Sequence, residues 1–160
     1  MEKEDMFALR RANAEDLIAA AQVSERAFLS IRDVYRPTAD AIAKKEGSAP
    51  SYEQLVGTWE GQLAATVEYR LSPESLDVRA LAVDPECQRR GIARLMIDGL
   101  VAIARENGRR AVTLFTIRET GNVAIFERMG FHVISEERAS WCESDRHETL
   151  HEARMERGVA

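Results

Sequence analysis

The 160-residue sequence is poor in the features that staple, anchor or loosen a chain. It has only two cysteines, Cys87 and Cys142, with no CxxC and no Cys/His spacing around either. That excludes a disulfide framework and gives no sign of a bound metal, so both are expected as free thiols. Nine glycines and four prolines are too few for a collagenous or low-complexity chain. No apolar run approaches the roughly 20 residues that span a bilayer, and the opening MEKEDMFALR is too charged for a secretory signal. A soluble, cytoplasmic protein without membrane contact is therefore expected. An excess of positive charge is missing as well: 22 Lys and Arg stand against 27 Asp and Glu, a net charge of −5. This argues against nonspecific nucleic-acid binding, while leaving room for a local basic cluster that holds a small anion.

What is present is an ordinary globular balance, 45% hydrophobic and 31% charged residues. A chain of this length should bury about 70% of the surface its unfolded form exposes, enough for one packed domain over 1–160. Phe7 to Arg10 suits a short strand. Asn13 before Glu15 and Asp16 suits a helix start, and the spacing of Leu17, Ala21, Phe28 and Ile31 predicts a helix from Ala14 to about Ile31 with that face buried. A weaker helix is expected over Thr38–Glu46, ended by Gly47. Strand-like runs at 53–59 and 62–71 flank Glu60-Gly61 and predict a β-hairpin, with a third antiparallel strand over Leu76–Val83. Ile92, Leu95, Met96, Gly99, Leu100 and Ile103 form the clearest helical stripe, stopped at Asn107-Gly108. The β-branched run Ala111–Ile117 predicts a strand buried on both faces and parallel to Leu76–Val83. A short helix over Gly121–Met129, a strand from Phe131 to Ser135 and a last strand within Thr149–Arg157 complete an α+β reading: a mixed, mostly antiparallel sheet with helices on both faces.

The most informative stretch, Val83-Asp84-Pro85-Glu86-Cys87-Gln88-Arg89-Arg90-Gly91-Ile92-Ala93, leaves a strand and enters the strongest helix. A helix start offers unpaired N–H groups and partial positive charge, so a pyrophosphate can dock there. Gly91 lets the backbone approach the anion, Ala93 keeps the clearance, and Arg89 and Arg90 add cationic donors. The pattern is neither G-x-G-x-x-G nor G-x-x-x-x-G-K-(S/T), so dinucleotide and ATP folds are not supported. A solvated turn around a packing glycine is the plain alternative.

Here the chain resembles the GNAT superfamily of N-acetyltransferases. Gln88-Arg89-Arg90-Gly91-Ile92-Ala93 matches the cofactor motif (Gln/Arg)-x-x-Gly-x-(Gly/Ala), and the flanking Ala80–Pro85 strand end, the amphipathic helix and Phe126-Glu127-Arg128-Met129-Gly130-Phe131 follow in the family's order. The likeness covers about 76–133. It implies a single GNAT-like domain that uses acetyl-CoA as co-substrate, without a metal, to acetylate a primary amine by direct attack in a ternary complex. It further implies that the pyrophosphate lies over Gln88, Arg89, Arg90, Gly91, Ile92 and Ala93, and that the strand segment Leu81, Ala82 and Val83 bonds the cofactor arm, with the Leu81 N–H on the thioester carbonyl.

An attacking ammonium must first lose a proton, usually to a carboxylate or through one water. Asp77 matches by position a glutamate used by some members, and Glu68 is the second candidate; for each, an ion pair with Arg79 or Arg70 is the plain alternative. Many members carry a tyrosine as general acid where this sequence has Phe126. A thiol of pKa about 8.5 leaves without much help, so Phe126 is read either as packing on the cofactor arm or as core. Asn122 stands closer to Phe126 than the family's cofactor-contacting asparagine does, and is read as a cofactor contact or as a helix cap. His132, His147 and His151 belong to no recognisable triad. The segment Trp141–His147 could line an acceptor pocket, a homodimer contact or plain surface. The competing function is an acyl-CoA-binding sensor with little catalysis, which the phenylalanine at 126 suggests.

Overall fold

The structure, a computed structural model, describes residues 3–46 and 51–160. In chain order its elements are α1 (Lys3–Met6), β1 (Phe7–Arg11), α2 (Leu17–Leu29), β2 (Arg36–Pro37), α3 (Ala39–Glu46), β3 (Glu53–Trp59), β4 (Gln62–Leu71), β5 (Ser75–Val83), α4 (Ile92–Glu106), β6 (Ala111–Ile117), α5 (Asn122–Arg128), β7 (His132–Arg138), β8 (Cys142–Glu143) and β9 (His151–Gly158). Seven strands form one sheet in the order β1-β3-β4-β5-β6-β9-β7, and β2 pairs separately with β8. Every neighbouring pair in the large sheet is antiparallel except β5–β6, the two strands that α4 connects. A parallel pair needs such a crossover, so the helical stripe and the strand direction are one decision. No helix among the described residues is long and apolar enough to cross a membrane.

The β3–β4 hairpin turns at Glu60-Gly61, both with positive φ, the pair of left-handed residues that matches the twist of the flanking strands. α4 buries Ile92, Met96, Ile97, Leu100 and Ala104 on one face of the sheet, together with Leu76, Val78, Val112, Leu114, Ala153 and Met155. Each fully buried aliphatic side chain of this kind contributes about 2 kcal/mol. The seat is close: a Cβ on Gly99 would lie 2.3 Å from the end of the Leu9 side chain, which would have to move to admit it. α2 contacts β4 and β5 and buries Ala20 and Val23 outside that cluster, so helices cover both faces. A smaller cluster, Ile117, Ala139, Cys142 and Leu150 with Tyr35 against it, fills the space beside the β2–β8 pair.

Several sequence expectations change. The predicted helix from Ala14 begins as a single 3-10 turn, Ala14–Asp16, before α2. Asn13 caps it, accepting from the Glu15 and Asp16 N–H groups, while Asp16 accepts from the Asn13 N–H and pairs with both terminal nitrogens of Arg10. The Arg10 guanidinium is the main reason the Asp16 carboxyl is held down to about 2. The predicted buried face holds only at its far end: Phe28 and Ile31 are half-buried, but Leu17 and Ala21 are exposed, and the small side chains of Ala20 and Val23 face the sheet instead. Small residues let the helix lie close to β4 and β5, so bulk did not mark the inner face. α3 begins at Ala39, and the stop assigned to Gly47 lies outside the described residues. β6 is buried on both faces only as far as Leu114; Phe115 is 59% exposed because the strand there loses its neighbour.

Candidate functional site

The site begins with a local fault in β5. Glu68 pairs with Arg79 and Thr66 with Ala82, so one β4 residue, Val67, stands opposite two on β5, Ala80 and Leu81. This is a bulge, and Ala80 takes the left-handed conformation at φ 55° that it requires. A non-glycine residue there costs about 1 kcal/mol. Its effect appears on the other edge. β5 pairs with β6 only from Ser75–Ala111 to Val78–Leu114; beyond that, Arg79–Val83 and Phe115–Ile117 have no mutual partners and the strands diverge.

Between the diverging ends lies a cavity of about 260 Å³. β5 lines it with Val78, Arg79, Ala80 and Leu81, β6 with Leu114 to Ile117, and α5 with Asn122 and Phe126. Ile31, Tyr35, Trp141 and Glu152 line it as well. Phe126 packs edge-on against Phe131, with ring centroids 5.8 Å apart. Asn122 does not cap α5: Gly121 occupies the cap position, and the Asn122 backbone N–H donates to Thr120 Oγ1. Its side chain is left to the cavity wall.

Following Val83, the chain forms the second half of the site. Asp84 accepts from the Glu86 N–H and so caps the turn Pro85–Cys87, while its other oxygen lies 2.5 Å from Arg26 Nη2. That arginine on α2 holds the Asp84 carboxyl below its ordinary range and ties the loop to the body of the protein. Gln88 is extended, Arg89 is left-handed at φ 69°, Gly91 is left-handed at φ 78°, and α4 starts at Ile92. A succession of alternating hand turns backbone N–H groups toward one point and makes an anion-binding concavity. By helix geometry the N–H groups of Ile92, Ala93 and Arg94 have no intrahelical partner. α4 has no acidic residue in its first turn, so its positive end is uncancelled. Arg89, Arg90 and Gly91 are exposed, whereas Ile92 is 2% exposed; that side chain belongs to the core, and only its backbone is available to a ligand.

The two carboxylates chosen as bases differ. Asp77 lies in the paired part of β5, outside the cavity lining. It accepts from Ser72 Oγ, Ser75 Oγ and Thr113 Oγ1 at 2.5 to 2.8 Å, and Arg70 Nε is 3.4 Å away. Burial pushes this carboxyl up, but the four donors outweigh it and hold it below the usual range. Such a group binds protons poorly, and its geometry is that of a turn anchor. Glu68 is 2.5 Å from Arg79 Nε, and that guanidinium lies 3.5 Å from the Tyr52 ring centroid. Glu68 does not line the cavity, but its partner Arg79 does.

Sequence reasoning had no reason to select Ile31, Tyr35 or Glu152. The alternation on β9 carried a partial signal, since the apolar Ala153 and Met155 place Glu152 on the other face. Of the segment Trp141–His147 only Trp141 lines the cavity, and its Nε1 donates to Glu152 Oε2 at 3.0 Å. Burial pushes the Cys142 thiol up to about 11, so it is no ready nucleophile. Among the described residues no group of three or more His, Cys, Asp or Glu side chains is placed to hold a metal ion.

Residues 15–131 match the family model described as the acetyltransferase (GNAT) family. No curated protein matches the chain by sequence. Among solved structures, the ribosomal-protein-S18-alanine N-acetyltransferase from Escherichia coli superposes with a TM-score of 0.75 at 19% identity, over 97% of this chain and 95% of that one. YncA from Salmonella typhimurium, solved with its cofactor acetyl-CoA, gives 0.69 at 17% identity over 97% and 95%. A GNAT family acetyltransferase from Elizabethkingia anophelis, with acetyl-CoA bound, gives 0.69 at 13% over 96% and 99%. At these identities the likeness is one of fold.

Proposed function

Because the chain belongs to the acetyltransferase (GNAT) family, we propose that it transfers an acetyl group from acetyl-CoA to a primary amine by direct attack within a ternary complex. The observation that carries this reading is the divergence of β5 from β6 at the Ala80 bulge, which frees a strand edge beside a cavity on the stretch of chain that leads into the N-terminus of α4. The residues fit the cofactor. The concavity from Gln88 to Ala93, with Arg89 and Arg90, suits a pyrophosphate; the free edge of Leu81, Ala82 and Val83 suits an amide-bearing arm; Asn122 and Phe126 form the facing wall. Acetyl-CoA, when bound, supplies the activated acyl group.

The Leu81 N–H is assigned to the thioester carbonyl, where one fixed donor is worth about 3 kcal/mol as charge grows on that oxygen. Walls that hold amine and thioester together supply much of the remainder. Of the two carboxylates, Glu68 is placed ahead of Asp77 as recipient of the amine's proton, through a water, because its partner Arg79 lines the cavity, whereas Asp77 is enclosed by Ser72, Ser75 and Thr113. Phe126 cannot donate a proton, and a thiolate leaves without one.

Phe126 also favours a second reading, an acyl-CoA sensor with little turnover. A thiol-release assay with acetyl-CoA and a panel of primary amines separates them. Release of free CoA that depends on the amine is expected; acetyl-CoA binding without release from any amine would establish the sensor, and absence of binding would remove both.

A further inference from the structure

We propose that Glu152 receives the ammonium group of the acceptor and makes the site selective for a cationic amine on an apolar body, against amines that also carry a carboxylate. The inference rests on acetyl transfer only for what happens next; the binding itself follows from the cavity.

Sidedness comes first. Strand side chains alternate between faces. On β9, Ala153 and Met155 point into the core under α4, which leaves Glu152 and Arg154 on the opposite face. On β6, Val112 and Leu114 take the α4 face, so Phe115 and Ile117 share the opposite one, and Ile117 is the register partner of Glu152. Tyr35 packs against the cluster containing Ile117. Glu152 therefore belongs to the face that carries Tyr35 and Trp141, away from α5 and the wall of Asn122 and Phe126.

Charge comes second. Apart from the Tyr35 phenol, the titratable side chains lining the cavity are Arg79 and Glu152. Arg79 is already compensated by Glu68 and stacked on Tyr52. Glu152 forms no ion pair among the described residues; Oε2 takes one hydrogen bond, from the neutral indole of Trp141, and Oε1 takes none. Arg154, on the same face, is exposed and is not part of the cavity lining, with its guanidinium 6.0 Å from the Phe115 ring centroid, and the β7 partner of Glu152 is another acid, Glu137. The wall thus holds an oriented carboxylate with no ion-pair partner among the described residues.

The third element is aromatic. Tyr35 and Trp141 meet edge to face with centroids 6.3 Å apart, and Phe115 and Ile31 complete an apolar surround. Aromatic faces beside a carboxylate favour an ammonium on a hydrocarbon body. A carboxylate on the same ligand would face Glu152, and Arg79, the arginine that lines the cavity, is already paired with Glu68.

Phenethylamine and phenylalanine, which differ by one carboxylate, are the probes. Titrated into the protein without cofactor and followed by tryptophan fluorescence, phenethylamine should saturate, and phenylalanine should bind at least about tenfold more weakly. Glu152→Gln should weaken phenethylamine about tenfold, Glu152→Asp should recover part of that loss, and circular dichroism should show both folded. With acetyl-CoA present, Glu152→Gln should raise KM for phenethylamine while leaving KM for acetyl-CoA unchanged. Equal affinity for the two probes, no binding of either, or an unchanged affinity in Glu152→Gln would overturn the assignment. Failure of acetyl-CoA to bind, by contrast, removes acetyl transfer and leaves the amine titration standing.

Discussion

Asp77 and Glu152 are carboxylates on one sheet with opposite surroundings, and their neighbours decide what each can do. Four donors hold Asp77 in its charged form, so Asp77→Asn is expected to cost about 2 kcal/mol of unfolding free energy at pH 7, measured by urea denaturation. Its folded-state pKa lies below the unfolded value, so this contribution is complete above the unfolded pKa near ~4 and is lost as pH falls through the folded value. The difference between variant and wild type should therefore shrink under acid. kcat/KM should change less than about threefold; a collapse in turnover at unchanged stability would instead make Asp77 the base. None of this was visible in the sequence, because position along a strand does not reveal that Thr113, on the parallel neighbour, completes the cage. Phe126 was legible as a residue type at a motif position. Glu152 was not, since its meaning depends on Trp141 and Tyr35 arriving from distant segments.

At the scale of elements, what repeats was legible and what breaks a repeat was not. The α4 stripe, the β3–β4 hairpin and the β5–α4–β6 unit follow from periodicity and turn chemistry, and their bounds came close to those observed. The bulge did not announce itself, because alanine rather than glycine takes the left-handed position in it. The first half of the inner face of α2 was misjudged because small side chains, Ala20 and Val23, occupy it. The concavity ahead of α4 was legible through Gly91, and it gives the sharpest element-level test. Gly91→Glu places a strained residue and a negative charge where the amides converge. Calorimetry should show at least ~tenfold weaker acetyl-CoA binding, while the melting temperature of the exposed site's variant falls only modestly. Undiminished affinity would remove the concavity from the cofactor site.

For the whole molecule, a ligand that binds only the folded state stabilises it by mass action. Acetyl-CoA at one hundred times its Kd should add about 2.7 kcal/mol, or roughly 5–10 °C in Tm for a domain of this size. Scanning fluorimetry would read the shift, which should vanish in Gly91→Glu; an equal shift in that variant would mean the ligand sits elsewhere. The run β3-β4-β5-β6 and the presence of helices on both faces were legible, whereas the places of β1 and β9 in the sheet were not, and the small β2–β8 pairing was missed, its strands being two residues each.

The parallel pairing of β5 with β6 is four residue pairs long, and it is the seam between a leaf of β1, β3, β4 and β5 and a leaf of β6, β9 and β7. Whatever lodges in the open end lies between the leaves as a wedge, in contact with both. The stiffness of the seam and the grip on the wedge are then one property measured from two ends. A substitution that lengthens the stitching would loosen the ligand without ever touching it.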